Sequence, residues 1–341
     1  MTKYILRRLL QMVPTIFGIT TISFLLVISA PGDPVTMVTF APNNSPESIA
    51  ALKRQLGLDQ PPLVQYLYWL VGNDYTRIDV NGDGEGDVAG ARKGILRGDL
   101  GQSIQYKRPV LDLIVERIPA TLQLTVAALL VGYAVGVPLG LFSAINHRGI
   151  VDQFTRVVSV LGIALPSFWL ALILIIIFSV TLGWLPMTGM RDVTRTDSGS
   201  FIDTIPYMIM PVTVLAVGTV AAISRFVRAS VLEVLQQDYV RTARSKGISN
   251  NRVWWWHVSR NALIPVATLL GPALGSLLGG AVIIEQVFSW PGLGRLSVNA
   301  AFQRDYPLVM GFVVVGGVLY VLGVLLSDLL YAWLDPRIQF R

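Results

Sequence analysis

The chain has 341 residues, of which 53% are hydrophobic and only 14% charged, with a formal net charge of +6 and a mean hydropathy of +0.59. A water-soluble domain of this length carries more charge on its surface, so the apolar excess has to face lipid. The absence of cysteine excludes disulfides and thiol chemistry, and the two histidines, His147 and His257, stand too far apart to suggest a metal site. The cations flank apolar runs with no interleaved aromatic tract, which points to membrane topology and anionic headgroups and away from nucleic acid.

Crossing the hydrocarbon takes about 20 helical residues. Six uncharged runs reach that length: Leu9–Pro31, Ile118–Asn146, Val157–Met190, Thr204–Ser224, Asn261–Ile284 and Tyr306–Ser327. They are continuously apolar, without the alternation of a membrane β-barrel. The chain therefore reads as an all-α integral membrane protein of about six transmembrane helices. The first run follows Lys3, Arg7 and Arg8, but its core is longer than that of a signal peptide, so it reads as a retained helix. The third is longer than one span needs, and its end near Trp184–Met190 is expected to turn out at the interface. Pro265 is expected to open the fifth.

Orientation follows from lysine and arginine in the short loops. Lys3, Arg7 and Arg8, then Arg148 and Arg156, then Arg225, Arg228, Arg241, Arg244, Lys246, Arg252 and Arg260, and finally Arg337 and Arg341 fall on one side if the spans alternate. That side is the cytoplasm, which puts both termini inside a plasma (inner) membrane. The resulting organisation is a first helix over 1–31, an extracytoplasmic subdomain over 32–117, a helical core over 118–335 with an inner loop at 229–260, and a short cytoplasmic tail over 336–341.

Within the outer segment, Asp79, Asn81, Asp83, Glu85 and Asp87 stand at alternate positions with Gly84 at the sixth. That is the oxygen-ligand spacing of a calcium loop. The usual twelfth-position glutamate is replaced by Gly90, so Asp87 would have to substitute. The competing reading is a flexible acidic turn. On the fifth span, Gly271, Gly275 and Gly279 repeat every four residues beside Pro272. Small residues in that pattern let helices approach closely, either within the chain or against another subunit near a pore. Glu285 and Asp328 sit at the margins of apolar runs, where structural pairing is favoured over a substrate contact.

The inner loop is too polar to enter the membrane and too apolar for a linker. Val231, Leu232, Val234 and Leu235 recur at helical spacing, and Tyr239, Val240 and Ala243 extend an apolar stripe beside Arg241, Arg244 and Lys246. Gly247 interrupts it, and Trp254, Trp255 and Trp256 follow. The pattern predicts a short surface helix, a glycine bend and an aromatic interfacial anchor.

The stretch Tyr239-Val-Arg-Thr-Ala-Arg-Ser-Lys-Gly247, with Asn261-Ala-Leu-Ile-Pro265 after it, resembles the cytoplasmic loop of permease subunits of binding-protein-dependent ABC importers. Arg241-Thr242-Ala243 stands where that superfamily has Glu-Ala-Ala, a departure typical of its dipeptide and oligopeptide branch. Pro31-Gly-Asp-Pro34, Gly98-Asp-Leu-Gly-Gln-Ser103, Leu165-Pro-Ser-Phe168, Trp184-Leu-Pro-Met-Thr-Gly189, Glu285-Gln-Val-Phe-Ser-Trp-Pro-Gly-Leu-Gly294, Asp305-Tyr-Pro307 and Asp335-Pro-Arg-Ile338 extend the resemblance along nearly the whole chain.

The resemblance implies the type I importer permease fold. It implies transport of peptides delivered by an extracytoplasmic substrate-binding protein, with a homologous second permease and two cytoplasmic ATPase subunits as partners. Tyr239, Arg241, Thr242, Ala243, Arg244, Lys246 and Gly247 would then form the helix that couples to the ATPase. ATP and magnesium belong to the partners, because no Gly-Lys dipeptide, and hence no phosphate-cradling loop, occurs here. Related permeases also carry nickel complexes and sugars. A stand-alone secondary transporter would be expected to place ionisable residues within its spans, and a membrane enzyme would need a catalytic constellation; the sequence displays neither.

Overall fold

In lipid every backbone polar group must be satisfied within the protein, and continuous helices are the direct solution. The computed structural model describes residues 2–29, 46–55, 57, 59–79, 86–90, 92–191, 201–269 and 281–334. They fall into two compact units. The larger comprises Met1–Ile5, Ile118–Arg295 and Leu319–Arg341, and the smaller comprises Leu6–Arg117 and Leu296–Val318.

The described helices in chain order are α1 Thr2–Ser29, α2 Pro46–Gln55, α3 Pro62–Val71, α4 Val110–Ile145, α5 Ile150–Ala164, α6 Ser167–Leu174, α7 Phe201–Val234, α8 Asp238–Ser245, α9 Ser259–Thr268, α10 Val282–Val287, α11 Leu293–Phe302 and α12 Tyr306–Leu334. A two-residue hairpin pairs β1 (Arg77–Ile78) with β2 (Val88–Ala89). Among the described residues, α4, α7 and α12 are each long and apolar enough to span a membrane, while α1 has a shorter apolar stretch, Val13–Ser29. Of the fifth apolar run, residues 270–280 lie outside the described residues.

The third run is not one straight span. Helices α5 and α6 meet at 102°. Pro166 supplies the cause, because its ring disfavours helical geometry at the preceding residue. Leu165 is accordingly extended, with φ −76° and ψ 126°. The helix then widens to a π-type winding over Ile175–Thr181, capped by Leu182 and followed by Gly183 with a φ of +64°.

Helices α4 and α7 approach each other closely in the larger unit. Gly132, Gly136 and Gly140 form a four-residue repeat on α4. A Cβ at Gly132 would lie 2.4 Å from Thr219, at Gly136 3.0 Å from Ile223, and at Gly140 2.6 Å from both Val227 and the Ser224 carbonyl. Gly162 of α5 faces Val217 of α7 in the same way, at 3.0 Å. Where lipid tails are as apolar as leucine, such close backbone contact is what drives helix association. One turn away, the Ser159 and Ser224 hydroxyls lie 3.0 Å apart, both buried.

In the smaller unit, Asp305 caps α12. It is buried and accepts bonds from the backbone N–H of Leu308 (3.3 Å), Ile104 (3.2 Å) and Gln105 (3.2 Å), and from the Ser103 hydroxyl. A carboxylate at this position satisfies otherwise orphaned helix donors and opposes the dipole. The motifs ending at Ser103 and beginning at Asp305 are thus two halves of one contact.

Overpacking a tight contact costs about 1–3 kcal/mol or more. Gly140→Val should therefore lower the thermal unfolding midpoint in detergent, whereas Gly218→Ala on α7, where a Cβ meets nothing within 4 Å, should leave it nearly unchanged. Equal behaviour of the two variants would contradict the seam.

Candidate functional site

Helix α7 continues past the predicted end of the fourth span at Ser224 to Val234. Val231, Leu232 and Val234 therefore belong to its end and not to a surface helix, because apolar side chains there still meet a buried partner. Leu235–Gln237 turn the chain, with Gln236 N–H and Gln237 N–H donating to Glu233 and Val234 carbonyls at 3.1 Å.

Helix α8 follows. Asp238 in its first turn and Arg244 in its last both suit the helix dipole. Val240 and Ala243, three residues apart on one face, are buried in a cluster with Val227, Val231, Val253, Val258 and Ala262. Arg241, Thr242, Arg244, Ser245 and Lys246 are exposed. Tyr239, expected on the apolar stripe, is instead 41% exposed, with its hydroxyl accepting a hydrogen bond from Asn261 Nδ2 at 3.0 Å. An eight-residue helix has room for only a narrow buried face, and Tyr239 lies outside it.

Gly247 stops the helix. Its N–H donates to the Arg244 carbonyl (3.0 Å) and that of Ile248 to the Ala243 carbonyl (3.3 Å), the paired bonds of a Schellman motif. Its φ is +75°, while a Cβ would meet nothing within 4 Å. The demand for glycine here is conformational and not steric. Helical winding resumes at Asn250 and passes through a π-type segment, Val253–Val258, into α9. Pro265 therefore lies inside the helix and does not open it; surrounding groups in a membrane bundle tolerate such prolines. Trp255 and Trp256 are 57% and 66% exposed, while Val253 and Val258 face inward. Ser230 Oγ donates to the Ala262 carbonyl at 2.8 Å, tying α9 to α7.

The seat of this loop is braced by an ion pair that the sequence reading missed. Asp152, wholly buried, accepts bonds from Arg228 Nε (2.6 Å) and Nη2 (2.9 Å), from Ser143 Oγ (2.7 Å) and from the Arg148 N–H (3.0 Å). Arg228 Nη2 also lies 3.1 Å from His147 Nδ1. The available signal is a single acid, Asp152, between Arg148 and Arg156 in the turn that joins the second and third runs. Near the other end of α4, Glu285 is buried and accepts bonds from Thr121 Oγ1 (2.8 Å) and the Arg295 N–H (3.0 Å), Thr121 Oγ1 in turn accepts the Leu293 N–H (2.7 Å), and Trp290 Nε1 donates to the Ala120 carbonyl (2.8 Å). The expected structural pairing of Glu285 thus uses a hydroxyl and an amide.

Residues 136–340 match the family described as Binding-protein-dependent transport system inner membrane component, and residues 1–125 match the family described as Binding-prot-dependent transport system membrane comp, N-term. The chain belongs to this family. It is similar over its full length, and over the full length of each relative, to the Oligopeptide transport system permease protein AppB of Bacillus subtilis (strain 168), at 41% identity, and to the Dipeptide transport system permease protein DppB of Escherichia coli (strain K12), at 38%. Among solved structures it is similar to the inward-facing MetNI methionine ABC transporter, with a TM-score of 0.51, 18% identity and coverage of 66% of this chain and 98% of that one, a likeness of fold. The type I permease fold expected from the motifs is therefore the fold of this membrane component.

Two groups of predicted residues lie elsewhere. Gly271, Pro272, Gly275 and Gly279 are outside the described residues of this membrane component. So are Asn81, Asp83 and Glu85. Asp79 and Asp87 are described, and the hairpin brings them to its base, where Asp87 N–H donates to the Ile78 carbonyl at 3.1 Å. Among the described residues, no group of three or more His, Cys, Asp or Glu side chains could hold a metal ion.

Removing one partner of a buried ion pair costs about 3–5 kcal/mol, because the other charge is left uncompensated. Asp152→Asn should lower the unfolding midpoint in detergent well below that of Arg156→Gln, whose guanidinium is half exposed and 3.7 Å from Asp152. A midpoint for Asp152→Asn equal to that of the unaltered chain would show that the brace contributes little.

Proposed function

We propose that this chain is one permease subunit of an ATP-driven importer and forms half of a translocation pathway for peptides handed over by an extracytoplasmic binding protein. A homologous second permease completes the pathway, and two cytoplasmic ATPase subunits bind ATP and magnesium and supply the energy. The observation that carries this reading is α8, a short helix with a buried two-residue keel, a cationic outer face and a glycine stop. That is the form of a rigid lever end seated on a helix bundle. The names of full-length relatives at 41% and 38% identity support peptides as cargo. The weight of inner-loop cations supports cytoplasmic termini, which put α8 on the side where ATP is found.

In this reading Tyr239, Arg241, Thr242, Arg244 and Lys246 meet the ATPase, Ala243 seats the helix and Gly247 holds its end. The spacing of Gly271, Gly275 and Gly279 with Pro272 supports a seam toward the second permease. The tagged chain should co-purify with a second permease and two ATPases. Gly247→Asp should abolish ATP-driven peptide uptake in reconstituted vesicles while leaving membrane insertion unchanged. Normal uptake by that variant would remove α8 from the coupling path.

A calcium ion in the outer loop is the second part of the proposal. The ligand spacing from Asp79 to Asp87 supports it, and so does the hairpin that returns those two ends to one place. Extracellular calcium modules bind at roughly 0.1–1 mM. Titration calorimetry on the full chain in detergent should give a calcium heat that Asp79→Ala removes. No heat at millimolar calcium would dismiss the ion.

A further inference from the structure

Helix α3 carries no charged side chain within Pro62–Val71. Its one amide, Gln65, donates Nε2 to the Gln60 carbonyl at 2.7 Å. Tyr66 and Trp69, three residues apart and both buried, face α1. The Tyr66 hydroxyl lies 2.9 Å from Thr21 Oγ1 and 3.3 Å from Thr20 Oγ1. Its ring packs against Phe17 and Phe24 at centroid distances of 6.1 and 5.2 Å, and Trp69 packs against Phe24 at 6.2 Å.

These α1 residues lie inside the apolar stretch Val13–Ser29. At 1.5 Å per residue, Thr20 and Thr21 stand about 12–14 Å in from Ser29 along the helix, and half the hydrocarbon thickness is about 15 Å. Helix α3 is therefore docked at the depth of the acyl chains on the Ser29 side. Its other flank is bare. Leu63, Leu67 and Val71, four residues apart, are 71%, 46% and 40% exposed. Exposed Ile22, Leu25 and Leu26 on α1 continue an uncovered apolar surface at that depth.

Both ends of α3 are polar. Asp59 and Gln60 precede it. At its last turn Arg97 Nη2 donates to the Val71 carbonyl at 2.9 Å and pairs with Asp74. The hydrogen bond from Arg97 holds the Asp74 carboxyl below its ordinary range, so the pair stays charged. Ten residues reach about 15 Å, half the hydrocarbon thickness, so α3 is long enough to enter one leaflet and too short to cross the bilayer.

We propose that α3 enters the leaflet next to Ser29 alongside α1 and sets Leu63, Leu67 and Val71 among its acyl chains, so that part of the segment between the first two spans is embedded in lipid. This depends on the chain spanning a membrane and not on its cargo.

The chain has no cysteine, so single spin labels can be placed cleanly. Leu63→Cys, Leu67→Cys and Val71→Cys would be labelled in the purified transporter, reconstituted in phosphatidylcholine–phosphatidylglycerol vesicles. Accessibility to oxygen and to a water-soluble nickel chelate would be compared with Leu26→Cys on α1 and Arg77→Cys on the hairpin. The three labels should match Leu26, with oxygen reaching them better than nickel. Nickel access like that at Arg77 would place the face in water, and exclusion of both reagents would mean that another protein covers it; either overturns the proposal. Leu67→Glu gives an independent measure and should raise nickel access at position 63. No change there would also count against lipid immersion.

Discussion

The close approach of α4 and α7 fixes the larger unit. Three glycines on α4 leave no side chain between the helices, so Thr219, Ile223 and Val227 press against bare backbone. In lipid no water is gained by burying leucine against leucine, and contact of this kind is what remains to hold helices together. Once the two axes are fixed, the C-terminal end of α4 brings Ser143 and the following turn to Asp152, within reach of Arg228 on α7. Near the opposite end of α4, Ala120 and Thr121 meet the loop that carries Glu285 and Trp290. The polar contacts at both ends thus depend on an apolar contact between them.

The same seam sets the seat of α8. Val227 and Val231 point from α7 into the cluster that receives Val240 and Ala243. An isolated eight-residue helix is marginal in water. It is held here by that burial and by the Gly247 stop, and it leans on a helix that is itself fixed by the glycines. A displacement applied to α8 therefore has a stiff path to α7, and through Arg228 and Asp152 to the start of α5.

Much of this was legible in the residues. Continuous apolar runs gave the spans at α4, α7 and α12, because length and hydropathy are imposed by the bilayer itself. Glycine after Arg244-Ser245-Lys246 gave the helix stop, because few other residues accept that backbone geometry. What escaped were features set by a second segment. The break at Pro166 was hidden in an apolar run, since lipid-compatible composition says nothing of direction, although proline at that place was the available sign. The repeat of Gly132, Gly136 and Gly140 is as regular as that of the fifth run, and only the facing helix α7 shows what it is for. Asp152 was invisible as a partner because Arg228 stands 76 residues away. Tyr239 was assigned to the apolar stripe by residue type, although helical geometry puts only Val240 and Ala243 in the narrow buried sector.

The division of labour on α8 has an evolutionary consequence. Anchorage uses two small aliphatic groups, and every neighbouring position is free of that duty. The outward side chains can therefore be exchanged without unfolding the loop beneath them. Position 241 is an instance: Arg241 is exposed while Val240 and Ala243 are buried, so its exchange leaves the footing in place. If α8 couples to an ATPase as proposed, the contact strip can be edited while the footing beneath it stays as it was.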